Sequence, residues 1–229
     1  LESDIKKFEE IWTSKRKNIK LYDLPKAVKA KLIQYSRNFS FEMLAAKCYN
    51  KNKKYTNNMK NLSLFYYQKE AIKKWTNNNR SLLLQMATGT GKTRTAIGCI
   101  AEILKLNAKV IIIISCPQGT LSMQWKTEID SLELGVEKSY IIDGTNRNWK
   151  NEIKESVLKL EIGYYESVII YTTHKTCSKK EFTDCFNNCL DSTKILFIGD
   201  EVHGMGSAIF RRGLLERYNY RLGLSATPS

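Results

Sequence analysis

The sequence predicts an α/β fold built on a parallel sheet with helices on both faces, and three observations carry that prediction. From residue 81 onward, short apolar runs alternate with longer amphipathic segments. Several runs are near-continuous and β-branched, as strands buried on both faces should be. One of them, "SLLLQM" (81–86), passes into a loop of small residues ending in Gly-Lys-Thr and then into a helical pattern.

Taken in chain order, residues 1–60 read as a basic helical segment or linker. "IKKFEEIW" and "AVKAKLIQYS" space apolar residues at the helical period around Pro25, and "NKNKKYTNN" comes next as the linker. "FYYQKEAIKKW" (65–75) continues the helical period. The strand candidates are 81–86, "KVIIIIS" (109–115), "SYIID" (139–143), "SVIIYT" (167–172), "KILFIGD" (194–200) and "YRLGLS" (220–225). Between most of them lies enough chain for a crossover helix.

Composition narrows the function classes. Apolar residues make up 42% of the 229, enough for a core, and no apolar run reaches the roughly 20 residues needed to span a bilayer. The charged start "LESDIKKFEE" lacks the apolar stretch of a secretory signal, so the expected compartment is the cytoplasm, with no membrane partner. The first residue is Leu, which suggests a piece of a longer chain. The net charge of +14 is lopsided: residues 1–80 hold 19 Lys/Arg against 7 Asp/Glu, whereas residues 81–229 hold 18 against 16. That asymmetry points to a polyanion near the first third, set against a plain Lys/Asn-rich solvated surface. Six cysteines fit a reducing compartment. Cys177, Cys185 and Cys189 with His174 lack the tight Cys-x2-Cys knuckle of a zinc set, so no structural metal is expected.

In parallel sheets ligands sit beyond the carboxyl ends of the strands, so the residues just past each strand decide the function. After the first comes "ATGTGKT": Ala87, Thr88, Gly89, Thr90, Gly91, Lys92 and Thr93. It satisfies G-x-x-x-x-G-K-[ST] except at the first glycine, where Met86 or Ala87 falls. The glycines let backbone N–H groups turn toward phosphate oxygens, and the next helix adds the positive end of its dipole. Lys92 would reach the β- and γ-phosphates, and the Thr93 hydroxyl would ligate Mg²⁺. After the fifth strand comes "DEVH", in which Asp200 would hold the magnesium water shell and Glu201 would polarise the attacking water. After the sixth comes "SATPS" (225–229).

Phosphate loop, DEVH and Ser-Ala-Thr in this order resemble motifs I, II and III of superfamily 2 DEAD/DEAH-type helicases and translocases. "FYYQKEAIKKW" resembles the family's element ahead of motif I, which implicates Gln68 and Tyr67 at adenine. The family's Arg two places before the Tyr is Phe65 here. "SCPQGTLSMQW" (115–125) and "IIYTTHKT" (169–176) resemble motif Ia and the Ib/Ic region, which touch the nucleic-acid backbone. "DEVHGMGSAIFRRGLLERYNYRLGLSATPS" is closest in flavour to the XPB-like branch and the related restriction-enzyme translocases. "FEEIW…LYDLPKAVKAKLIQ" resembles the segment joining an upstream nuclease domain to a helicase in some bacterial defence proteins.

The resemblance implies that residues 61–229 form the first, ATP-binding, RecA-like lobe of a P-loop motor using ATP and Mg²⁺. A second RecA-like lobe, which supplies the arginine finger in the family, is absent from this chain. The implied nucleotide site comprises Tyr67, Gln68, Ala87 to Thr93 and Arg94, with Lys92, Asp200 and Glu201 catalytic and Thr93 and Asp200 at the metal. His203, Ser225, Ala226 and Thr227 would couple hydrolysis to movement. Pro117, Gln118, Gly119, Thr120, Gln124, Thr172, Thr173 and Lys175 would face the polymer; Pro-Gln-Gly-Thr also makes an ordinary helix start. Trp125 reads as a core anchor of its helix. The function so implied is an ATP-dependent DNA helicase or translocase in restriction or repair. The alternatives are an RNA helicase lobe and a nucleotide-binding switch or scaffold.

Overall fold

In the computed structural model the described residues run from 62 to 226, apart from 107, 143–145, 147 and 188. The expected helical segment 1–60 and Thr227 lie outside them. Six strands form one sheet: β1 (Ser81–Gln85), β2 (Val110–Cys116), β3 (Lys138–Ile142), β4 (Ser167–Thr173), β5 (Lys194–Gly199) and β6 (Tyr220–Ser225). Their spatial order is β1-β6-β5-β2-β4-β3, and every neighbouring pair is parallel. All six lie where the apolar runs predicted them, with ends shifted by a residue or so.

Burial follows position in the sheet. β2, with β5 and β4 on either side, is buried at every residue, whereas the edge strands β1 and β3 are only partly covered. Alternate side chains of β2 enter separate cores, as the strand period of two requires. Ile112 and Ile114 meet α1 (Tyr66–Asn77), α2 (Lys92–Leu104) and α3 (Gly119–Ser131). Ile111 and Ile113 meet α4 (Trp149–Glu161) and two one-turn helices, α5 (His174–Cys177) and α6 (Lys180–Thr183). Helices therefore cover both faces. A 3₁₀ turn (Val202–Gly206) and α7 (Ala208–Arg211) join β5 to β6.

The helices are seated by short apolar stripes. α1 buries Gln68, Ile72 and Trp75, spaced by four and three residues along one side. Trp75 is fully buried, and its indole N–H donates to Arg221 O at 2.9 Å, satisfying the ring's one polar atom. α2 is buried around most of its girth, from Thr95 to Ile103. It can approach α1 closely because residue 98 is glycine: a Cβ there would stand 2.4 Å from Ile72 Cδ1.

Strand order positions the site. β1 lies beside β6 and β6 beside β5, so the loops leaving these three strands open side by side although they are distant in sequence.

Candidate nucleotide and nucleic-acid site

The loop after β1 bends twice through left-handed backbone, at Gly89 (φ 80°) and Gly91 (φ 82°), where side chains are disfavoured. Thr90 closes it from within, its hydroxyl donating to Ala87 O at 2.7 Å. Lys92 opens α2 and folds back so that Nζ donates to Met86 O at 3.0 Å. The first turn of α2 holds no acid, so the helix N-terminus and Lys92 present positive potential without a neutralising carboxylate. These donors fit a polyphosphate. Thr93 is half-buried beside Lys92, and Arg94 is exposed, 3.8 Å from Glu128 on α3. Burial raises the Glu128 carboxyl above its usual range, against the pull of Arg94.

Gln68 is engaged differently from the adenine contact that the resemblance implies. It is 1% exposed, its Oε1 accepts from Phe65 N at 2.9 Å, and its Nε2 donates to Thr90 O at 3.1 Å and Gly91 O at 3.4 Å. Both ends of the amide are thus used inside the protein, one capping α1 and the other holding the phosphate loop. A Cβ at Gly91 would stand 2.3 Å from that Nε2. Tyr67 reaches the same loop, its hydroxyl donating to Thr90 O at 2.9 Å. Its ring is exposed and stacks on Phe65, with centroids 5.8 Å apart.

Asp200 stands at the tip of β5, its N–H donating to Ser115 O on β2 at 2.8 Å. Each carboxylate oxygen has one donor: Glu201 N to Oδ1 at 3.0 Å and Trp125 Nε1 to Oδ2 at 2.9 Å. Glu201 adopts φ 46° and ψ 52°, a left-handed conformation uncommon for a residue with a side chain. Its Oε2 accepts from Ala226 N at 3.3 Å. His203 Nδ1 lies 3.5 Å from the same oxygen and 3.3 Å from Ser225 Oγ. DEVH and the end of β6 are therefore linked by hydrogen bonds.

Beneath this lies His174, 3% exposed, whose Nδ1 shares a 2.8 Å hydrogen bond with Ser115 Oγ. Burial pulls its pKa below the ordinary histidine value, against the opposing influence of the Asp200 backbone and carboxylate. His174 belongs to the scaffold of DEVH. Cys116 and Cys177, buried nearby, are both pushed up to about 12 by burial, which keeps them neutral thiols.

The candidate polymer contacts divide. Pro117, Gln118, Thr120, Gln124 and Lys175 are exposed, and Gly119 is half-buried, at the strand tips and the start of α3. Thr173 caps α5, its hydroxyl accepting from Thr176 N at 3.2 Å. Thr172 is fully buried, its hydroxyl donating to Ile142 O at 3.2 Å and its carbonyl accepting from Ser122 Oγ at 3.1 Å. It therefore presents no side chain to a polymer, because residue 172 falls on the inward side of the strand tip. Trp125 is a core residue as expected, but its bond to Asp200 had no sequence signal beyond an indole on the inner side of a helix.

Residues 61–229 match the family described as type III restriction enzyme, res subunit. The chain belongs to that family. With its all-parallel sheet, this type III restriction Res-subunit domain has the fold of the N-terminal lobe of superfamily 2 helicases. Solved structures similar to it include the Sulfolobus solfataricus SWI2/SNF2 ATPase core in complex with dsDNA (TM-score 0.53, 19% identity, 72% of this chain and 32% of that one). Another is a nuclease-deletion mutant of the type ISP restriction-modification enzyme LlaGI in complex with a DNA substrate mimic (0.56, 18%, 72% and 18%). A third is the Pyrococcus furiosus Hef helicase domain (0.54, 16%, 75% and 35%). At these identities the likeness is one of fold, and the chain spans a third or less of the first two structures' lengths. No curated protein matches the chain significantly. Among the described residues, no helix is long and apolar enough to cross a membrane.

Proposed function

We propose that this Res-family lobe binds and hydrolyses ATP with Mg²⁺ as half of a motor that moves on DNA. The observation that carries the reading is the adjacency of β1, β6 and β5, which opens the phosphate loop, DEVH and Ser225-Ala226 onto one end of the sheet. Backbone N–H groups of residues 88–92 would hold the phosphates. Lys92 would exchange Met86 O for the β- and γ-phosphate oxygens, a stronger, charge-assisted partner. Thr93 and Asp200 would hold the magnesium, which supplies neutralisation of charge developing on the phosphates.

Glu201 is the general base of this proposal. It orients the attacking water and takes its proton at Oε1, while Ala226 N–H and His203 hold Oε2. Hydrolysis removes the γ-phosphate from the face that Glu201 watches. The carboxylate's release then loosens Ala226 and Ser225, passing the change to β6. Mutation of Ser225 and Thr227 to Ala with ATP turnover and strand movement still tightly coupled would refute that step. In the resemblance the arginine finger comes from a second lobe, and such a residue is worth about 10³–10⁵ in rate, so this lobe by itself should turn over slowly.

DNA is favoured because the family is one of restriction enzymes and two of the similar structures hold DNA. Binding through phosphates would weaken steeply with salt and show little sequence preference. The test is ATP turnover by the full-length protein without polymer and with single-stranded DNA, duplex DNA or RNA, using Lys92→Ala as the blank. Duplex stimulation that vanishes in the blank supports the reading. Stimulation by RNA alone would make it an RNA motor. ATP binding with no stimulation by any polymer would replace the motor with a nucleotide switch. Glu201→Gln should trap ATP unhydrolysed in a motor.

A further inference from the structure

Trp125 does more than fill the core. Its indole N–H donates to Asp200 Oδ2 at 2.9 Å across 75 residues of sequence, and the ring is 2% exposed. Packing on this face would be served equally by Phe or Leu; an indole N–H directed at a carboxylate is a polar commitment that neither can make. Water cannot readily substitute for a donor so enclosed. The other carboxylate oxygen is held by Glu201 N–H at 3.0 Å. Each oxygen thus has one fixed donor and keeps lone-pair capacity for another partner, and the plane of the carboxylate is set from both ends.

The helix that carries Trp125 also carries candidate polymer contacts. α3 begins at Gly119 and Thr120 beyond the tip of β2, and Thr120 and Gln124 are exposed. One turn before Trp125, Ser122 is buried and donates to Thr172 O at the tip of β4 at 3.1 Å. Residues three apart share a side of a helix. The inner side of α3 is therefore bonded to the tip of β4 through Ser122 and to the acid at the tip of β5 through Trp125. A displacement of α3 by a strand lying on its first turn would be delivered to Asp200 by a single hydrogen bond.

We infer that Trp125 is a positioning residue: it orients the Asp200 carboxylate for the divalent cation and transmits polymer engagement at the start of α3 to that carboxylate. The inference rests on the motor reading above.

The test is titration of Mn²⁺, monitored by electron paramagnetic resonance, into full-length protein saturated with a non-hydrolysable ATP analogue, with and without duplex DNA. Wild type is compared with Trp125→Phe and with a chain carrying 3-benzothienylalanine at 125, which keeps the bicyclic ring shape and replaces the donating N–H with sulfur. The expected result is Mn²⁺ affinity weakened about tenfold in both variants, within the range found when outer-shell partners of a metal ligand are removed. Binding of the analogue without metal should be unchanged. A DNA-induced shift in Mn²⁺ affinity should be present in wild type and lost in both. Wild-type Mn²⁺ affinity in the folded benzothienyl chain would overturn the positioning role, and a DNA shift surviving there would overturn the transmission. Wild type that binds no Mn²⁺ with the analogue would instead overturn the motor reading itself.

Discussion

Replacing Gln68 with alanine should destabilise the protein in the complete absence of nucleotide. Three hydrogen bonds are lost: Phe65 N to Oε1 at 2.9 Å, Nε2 to Thr90 O at 3.1 Å, and a longer one to Gly91 O at 3.4 Å. The two shorter bonds contribute about 0.5–1.5 kcal/mol each, and Phe65 N–H, left without its acceptor, adds about 1–3 kcal/mol, whereas Thr90 O keeps the Tyr67 hydroxyl. The long bond adds little. Since residue 68 is 1% exposed, replacement water has poor access, and a total near 3 kcal/mol is reasonable. For a domain of this size about 1 kcal/mol shifts the melting midpoint by roughly 2–4 °C, so a fall of about 6–12 °C is expected. The assay is differential scanning calorimetry of nucleotide-free wild type and Gln68→Ala. Gln68→Glu should behave similarly, because it retains the acceptor for Phe65 N but turns an acceptor toward the two loop carbonyls. An unchanged nucleotide-free midpoint with weakened ATP binding would refute the reasoning and return Gln68 to a direct role at the base.

Gly91→Ala should weaken nucleotide binding and lower the melting midpoint together, since it strains φ 82° and drives a Cβ to 2.3 Å from Gln68 Nε2; an unaffected midpoint would refute it. Trp75→Phe should cost about 0.5–1.5 kcal/mol in urea unfolding, as it removes the indole N–H that donates to Arg221 O at 2.9 Å. His174 gives a pH dependence. Its folded pKa is lowered, so below about pH 6.5 the unfolded chain binds the extra proton, and stability falls as pH drops, by at most about 1.4 kcal/mol per unit. Urea unfolding at pH 7.5 and 5.5 should show a smaller loss in His174→Gln than in wild type; equal losses would refute it.

Local chemistry was legible from the chain alone. The apolar runs marked all six strands, most plainly where a strand is buried on both faces and carries uninterrupted β-branched residues, as β2 does. The phosphate loop could be read because its requirements are local: two glycines with positive φ, a lysine and a hydroxyl within seven consecutive residues. The chain order of phosphate loop, DEVH and Ser-Ala-Thr was legible as well.

What needed the tertiary structure was every relation between segments distant in the chain. Strand order is one, because apolar patterning gives each strand its burial but no neighbour. That β1, β6 and β5 lie side by side is what gathers the site. Thr172 is another. A threonine at a strand tip looks like a surface contact until the neighbouring strand supplies Ile142 O as its acceptor. Gln68 and Trp125 show the same thing for side chains. Their polar atoms are matched to Gly91 and Asp200 by packing of α1 and α3 on the sheet, and hydrogen-bond partners set by packing leave no periodicity in the sequence to be read.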